Sequence, residues 1–173
     1  MLHFGAKPPF SYERFLDLCR GLIPDEEIET LKSLPQAAAS GSKVEGRPST
    51  YEAWVAFETC LRNELVKVRA SRKKVDAAKY LRPDGYADPS VAHLALTAYR
   101  SASPLEGEKI CDEERWRYLD ALAFGHYFDL DALIIYALKL VILERWERIR
   151  REDKHKLLEG VLWQQREKGV SSK

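Results

Sequence analysis

The sequence predicts an all-α fold, a multi-helix bundle of about seven helices around one central apolar helix. Three observations lead there. Nearly every punctuated segment repeats its apolar residues at helical spacing. No stretch shows sustained apolar–polar alternation with β-branched residues between tight hairpin turns. One run, FDLDALIIYALKLVILERWERIR (Phe128 to Arg150), is the most apolar in the chain, and between Leu130 and Leu143 only Asp131 and Lys139 carry charge. A helix of that composition is stable in water only when it is buried on several sides.

The elements follow in order. Ser11 opens SYERFLDLCRGL, in which Phe15, Leu18, Cys19 and Leu22 recur at helical spacing and Gly21 stands near the end. PDEEIETLKSL begins with Pro24 and three acids, residue types that a helix N-terminus favours. Residues 36–48, QAAASGSKVEGRP, hold small residues, glycine and proline with almost nothing to bury, which predicts a mobile loop. Ser49 and Glu52 form an S-x-x-E capping box for a long helix with the stripe Trp54, Phe57, Cys60 or Leu61, Leu65 and Val68. That helix is expected to reach about Lys74, with a further piece through Tyr80 and Leu81 before RPDGYADP breaks it.

Asp88 and Pro89 restart a helix in SVAHLALTAYRSA. Ser103, Pro104 and Glu106 give a second capping box, followed by Leu105, Ile110, Trp116, Leu119 and Leu122. Asp129 or Asp131 then caps the apolar helix. KLLEGVLWQQ reads as a last amphipathic segment, and 169–173 as a frayed tail. At 173 residues the chain is expected to form a single helical domain, 1–173, able to bury about two-thirds of its unfolded surface.

Composition excludes several classes of function. Hydrophobic residues make up 45% and charged ones 32%, which is globular rather than disordered, and a net charge of +1 gives no bulk attraction to nucleic acid or lipid. Cys19, Cys60 and Cys111 are odd in number and form no C-x-x-C, so they read as reduced, buried thiols of a cytoplasmic protein. A membrane span needs roughly 20 mostly apolar residues. The run here is shorter, carries Lys139, and continues into Glu144, Arg145, Glu147 and Arg148. The opening MLHFGAKPPF has neither the basic start nor the apolar stretch of a secretion signal. The expectation is a soluble chain with no membrane insertion.

Catalytic patterns are missing. There is no G-x-S-x-G, no glycine-rich phosphate loop, no G-x-G-x-x-G and no H-E-x-x-H. Glu152-x-x-His155 has the spacing used in di-iron bundles, but His3, His93 and His126 have no glutamate three positions earlier to supply the second half. The chain reads as a non-enzyme without cofactor, metal or small-molecule substrate.

Two features read as candidate partner surfaces. The basic run around VRASRKK brings Lys67, Arg69, Arg72, Lys73, Lys74, Lys79 and Arg82 close together in the sequence. It suits a solvated helix face, an acidic protein partner or a nucleic acid, and no nucleic-acid-binding motif accompanies it. Trp54, Trp116, Trp146 and Trp163 fall on different expected helices, where core packing accounts for most. Trp146, flanked by Glu144-Arg145 and Glu147-Arg148, stands where the central helix leaves its apolar section, a composition that interfaces favour.

Five blocks together resemble a known family: KPPFSYERFLDLCRGL, LRNELVKVRA, YLRPDG, PLEGEKICDEERWRYLDAL and FDLDALIIYALKLVILERW. The family consists of uncharacterised bacterial proteins encoded in V-type (A-type) ATPase operons, which are distantly similar to the helical central-stalk subunit called C or d. The resemblance implies a non-catalytic structural or assembly component of such an ATPase, with its subunits as partners and a place beside the inner membrane through the complex. The competing reading is a helical nucleic-acid-binding or regulatory module that uses the basic 67–82 face.

Overall fold

A computed structural model describes the backbone of residues 2–40, 48–83 and 85–170, and their side chains except at 36–40 and 154–170. Six α-helices account for most of it: α1 (Tyr12–Cys19), α2 (Asp25–Ser40), α3 (Ser49–Lys73), α4 (Pro89–Arg100), α5 (Pro104–Leu122) and α6 (Leu130–Val170), with one 3-10 turn at Ala77–Tyr80. Among the described residues there is no strand, and the only β feature is an isolated bridge between Arg20 and Ile23. The all-α bundle is as expected, with six helices rather than seven. KLLEGVLWQQ forms no helix of its own but continues α6. The connecting ERWERIRRED is built largely of good helix formers and has no proline or glycine to stop it.

The apolar run lies at the centre. α6 packs against α1, α2, α3 and α5. Ile134, Ile135, Ala137, Leu138, Leu140, Ile142 and Leu143 are buried, while Leu133 and Val141 are half-buried. Each buried aliphatic side chain contributes about 1.5–3 kcal/mol relative to exposure. Lys139, the charge near the middle of the run, is only 7% exposed. Its ammonium lies 2.5 Å from Asp120 and 5.3 Å from the centre of the Trp116 ring, which compensates the burial. Among the described residues no helix is long and apolar enough to cross a membrane.

Most helix starts follow the local signals. Ser11, Asp88 and Ser103 accept hydrogen bonds from the N–H groups of Arg14, Ser90 and Glu106. The Glu106 carboxylate reaches back to the Ala102 N–H at 3.1 Å. For α6 the capping residue is Asp129, at 2.9 Å from the Ala132 N–H. Asp131 instead accepts from the Thr50 N–H at 3.2 Å, tying the start of α3 to the start of α6.

Two expectations are corrected. Ser49 does not cap α3, because the helix already includes it, Pro48 takes the cap position without a side-chain bond, and Asp131 supplies a carboxylate from α6. The loop expected over 36–48 starts later, since α2 runs through Pro35 and the alanines 37–39 to Ser40. Alanine is the best helix former, and this prevailed over the lack of anything to bury. The rest of that expected loop, 41–47, lies outside the described residues, as do 171–173 of the expected tail.

Helix directions define two ends of the bundle. On α1, the Tyr12 N–H donates to Glu144 at 2.8 Å and Phe15 stacks on Tyr136, so α1 runs antiparallel to α6. On α5, Arg115 pairs with Glu58 and Tyr118 stacks on Phe57 and donates to the Ala53 carbonyl, so α5 runs antiparallel to α3. One end therefore carries the α5–α6 loop with the starts of α3 and α6. The other carries the end of α3 and the α4–α5 junction. The 19 residues of α5 separate them by about 28 Å.

Candidate interaction surface

The second end holds a groove of about 360 Å³ between α3 and the α4–α5 junction. Leu65, Ala98 and Cys111 give it an apolar lining, Arg69 and Arg72 add two positive charges and Glu108 one negative charge, and Tyr99 adds an aromatic ring. Arg72 is pre-oriented: its guanidinium donates to the Tyr99 hydroxyl at 2.7 Å and lies 5.8 Å from the ring centre. This bond raises the Arg72 pKa further. Arg69 is exposed.

Two local features shape the groove. Gly107, at the second turn of α5, faces α4 so closely that a Cβ there would stand 2.6 Å from the Ala98 carbonyl oxygen and 3.0 Å from Ser101 Oγ. Only glycine lets the two backbones approach in this way. On the other side, α3 ends with Lys74 in the left-handed conformation (φ 54°), and the Val75 N–H returns to the Ala70 carbonyl at 3.1 Å. That is a Schellman-type stop, usually given to glycine.

Beyond it, residues 80–82 of the YLRPDG segment are clamped to α3. Asn63, 6% exposed, accepts from the Arg82 N–H at 2.9 Å and donates to the Arg82 carbonyl at 3.0 Å, while Arg62 donates to the Tyr80 carbonyl. A Cβ on Gly85 would collide with the Asn63 amide.

The predicted interface residues thus divide. Arg69 and Arg72 meet at the groove, and Lys73 and Lys74 follow at the exposed end of the same helix. Lys79 is exposed on the 3-10 turn, and Arg82 is half-buried, its pKa lowered by desolvation. Lys67 pairs with Glu64 at 2.6 Å. Trp146 and Arg148 do not line the groove. The Trp146 indole donates to Asp112 at 2.8 Å and meets the Phe4 ring edge-on, while exposed Arg148 borders a different groove with Lys7, Pro8 and Phe10.

Sequence reasoning missed Asp112, Tyr99, Gly107 and the α5–α6 loop. Asp112 is fully buried and ties α5 to α6: it accepts from Arg115 on its own helix at 2.8 Å, and from Trp146 and Arg145 on α6. Arg115 also grips Glu58 with two nitrogens at 2.6 and 3.2 Å, and these partners hold its pKa far above the ordinary range despite burial. In the α5–α6 loop, Phe124, Tyr127 and Phe128 are 90%, 75% and 105% exposed. The string FGHYF was the available signal, an aromatic-rich break between two helices.

The chemistry available elsewhere is limited. His126, Asp129 and Asp131 could each offer one metal ligand within 4.8 Å. All three already serve the fold, since His126 pairs with Asp129 at 2.6 Å, Asp129 caps α6 and Asp131 caps α3. Cys19, Cys60 and Cys111 are free and buried, and burial raises each thiol pKa, which makes them poor nucleophiles.

Residues 95–162 match the model of a protein family of unknown function, DUF2764. The match takes in the end of α4, all of α5 and α6 as far as Leu162, so it includes Asp112, Arg115, Trp146 and the aromatic loop. Arg69 and Arg72 precede it. No curated protein and no solved structure matches the chain.

Proposed function

We propose that this chain is a non-catalytic structural or assembly component of a V-type (A-type) ATPase, and that it docks on an acidic subunit surface through the Arg69–Arg72 groove. The groove itself is the observation that carries the docking reading. An arginine held ready by Tyr99 loses little freedom on binding, and an apolar lining beside it offers burial as well as charge. The identity of the machine comes from the resemblance of the five sequence blocks, two of which fall wholly inside the matched 95–162 stretch. In this reading the protein stands beside the membrane through the complex and acts by holding subunits together.

The alternative is a nucleic-acid-binding or regulatory module that uses the same basic face. A solution experiment separates the two. Arg72, Lys73 and Lys74 are exposed, so reversing all three to glutamate should cost the fold little beyond the Arg72–Tyr99 bond, and circular dichroism checks that the variant is folded. Wild type and variant are titrated with purified central-stalk and ring-side subunits and, in parallel, with duplex and single-stranded DNA and RNA. The reading requires salt-dependent subunit binding that the reversal weakens. Salt-sensitive nucleic-acid binding with no binding to any ATPase subunit favours the alternative, and subunit binding unchanged by the reversal contradicts the groove's role.

A further inference from the structure

The two ends of the bundle are complementary. At one end Phe124, Tyr127 and Phe128 project fully into solvent from the α5–α6 loop. Among the described residues their surroundings carry more acid than base. Asp129 and Asp131 follow directly, with His126 as the one weak base of the loop, and α1 and α2 bring Leu22 (82% exposed), Asp25, Glu26 and Glu27 to the same end, along with Arg20, which pairs with Asp17. That placement follows from helix direction, since α1 passes Tyr136 at Phe15 and continues toward the start of α6. At the other end the α3–α4–α5 groove pairs an apolar lining with Arg69 and Arg72, Lys73 and Lys74 follow, and Glu108 is the one acid in the lining, so the rim stays net positive.

An exposed aromatic cluster with an acidic collar fits an apolar groove with an arginine rim, because the ring gains burial and a guanidinium over its face while the collar meets the rim's charge. A membrane surface fits the cluster less well, since the collar opposes anionic headgroups. The two features cannot meet within one chain, because α5 holds them about 28 Å apart.

We propose that the groove of the isolated chain takes a second copy of this chain, whose loop over 124–128 seats there head to tail. Such a contact joins unlike surfaces, so it continues from copy to copy until it closes into a ring or runs on as a filament. The inference shares the groove with the proposed ATPase surface but not the partner. Subunit docking and self-association then compete for one site.

The test uses the isolated full chain in sedimentation equilibrium over a concentration series at low and high salt. Wild type should exceed its monomer mass of 19.9 kDa as concentration rises and return toward it as salt is added. Phe128→Ser should remain monomeric, and so should the double variant Arg69→Glu/Arg72→Glu. Both changes lie at exposed positions, and circular dichroism checks that each variant is folded. Mixed in equal amounts, the two variants should form a one-to-one dimer and nothing larger, because each retains the half that the other lacks. A wild type that stays monomeric throughout overturns the inference. So does a groove variant that associates like wild type, which would join like ends, or a mixture that stays monomeric. None of these results bears on ATPase subunit binding, which is measured separately.

Discussion

Asp112 shows how much one side chain carries in this fold. It is fully buried at the meeting of α5 and α6 and takes hydrogen bonds from Arg115, Arg145 and Trp146. Removing one partner from a buried charge network leaves the others uncompensated, at a cost of about 3–5 kcal/mol. Asp112→Ala is therefore expected to lower stability by that amount in chemical denaturation, whereas a loss under about 1 kcal/mol would mean that the network is well solvated.

The Asp129 carboxylate beside His126 raises the imidazole pKa, and the same bond lowers that of Asp129. A raised folded-state pKa means that the pair stabilises the fold at and below the ordinary imidazole range, and that this contribution is lost as pH rises through the higher, folded-state value. The lowered Asp129 pKa sets the acid limit, where the contribution is lost as pH falls through it. NMR titration should find His126 titrating above about 6.5, and the shift should shrink in Asp129→Asn, which leaves only the weaker field of Asp131. A value at or below that in the native chain would show that the pair does not form in solution.

Asp112 sits in an unremarkable CDEERW string, and its value comes from Arg145 and Trp146, more than thirty positions away. Trp146 was singled out for its charged neighbours, yet its indole N–H is committed to that buried carboxylate.

At the scale of elements, helix ends decide the geometry. The Asp88, Ser103 and Asp129 caps were legible because they depend on neighbours within four residues. The start of α3 was not, because its carboxylate partner Asp131 arrives from α6 across the fold. The close α4–α5 approach was hidden too, since Gly107 inside a helix signals only lower propensity until Ala98 is placed against it. Gly107→Ala should push the two helices apart by a few tenths of an ångström or more, costing stability of about 1–3 kcal/mol. A thermal melt reads this, and an unchanged melting temperature would contradict the contact. Lys74→Gly should act in the opposite sense, stabilising the chain by about 1 kcal/mol, because it relieves a left-handed residue. Combined with the charge it removes, this variant is expected to be more stable yet bind an acidic partner more weakly.

For the whole molecule, the run from Leu130 to Leu143 determines the architecture. Its composition announced a helix buried on several sides, and four other helices surround it. Leu138→Ala should cost about 2–5 kcal/mol, and a much smaller loss would place that helix nearer the surface than its 4% exposure indicates. The interaction surface was only half legible. The sequence presents one basic run of seven cations, but the fold selects Arg69 and Arg72, adds Tyr99 and an apolar lining from segments about thirty to forty residues on, and clamps Arg82 by its backbone.

If a partner binds this groove, it covers the end of α3 and the α4–α5 junction. Hydrogen exchange on the full chain, with and without a purified ATPase central-stalk subunit, reads that cover, since shielded amides exchange more slowly. Slowed exchange is expected at the end of α3 and across 101–111, with less slowing in high salt. Slowed exchange confined to the Lys7–Phe10 and Arg148 groove, or none anywhere with every subunit tried, would contradict it.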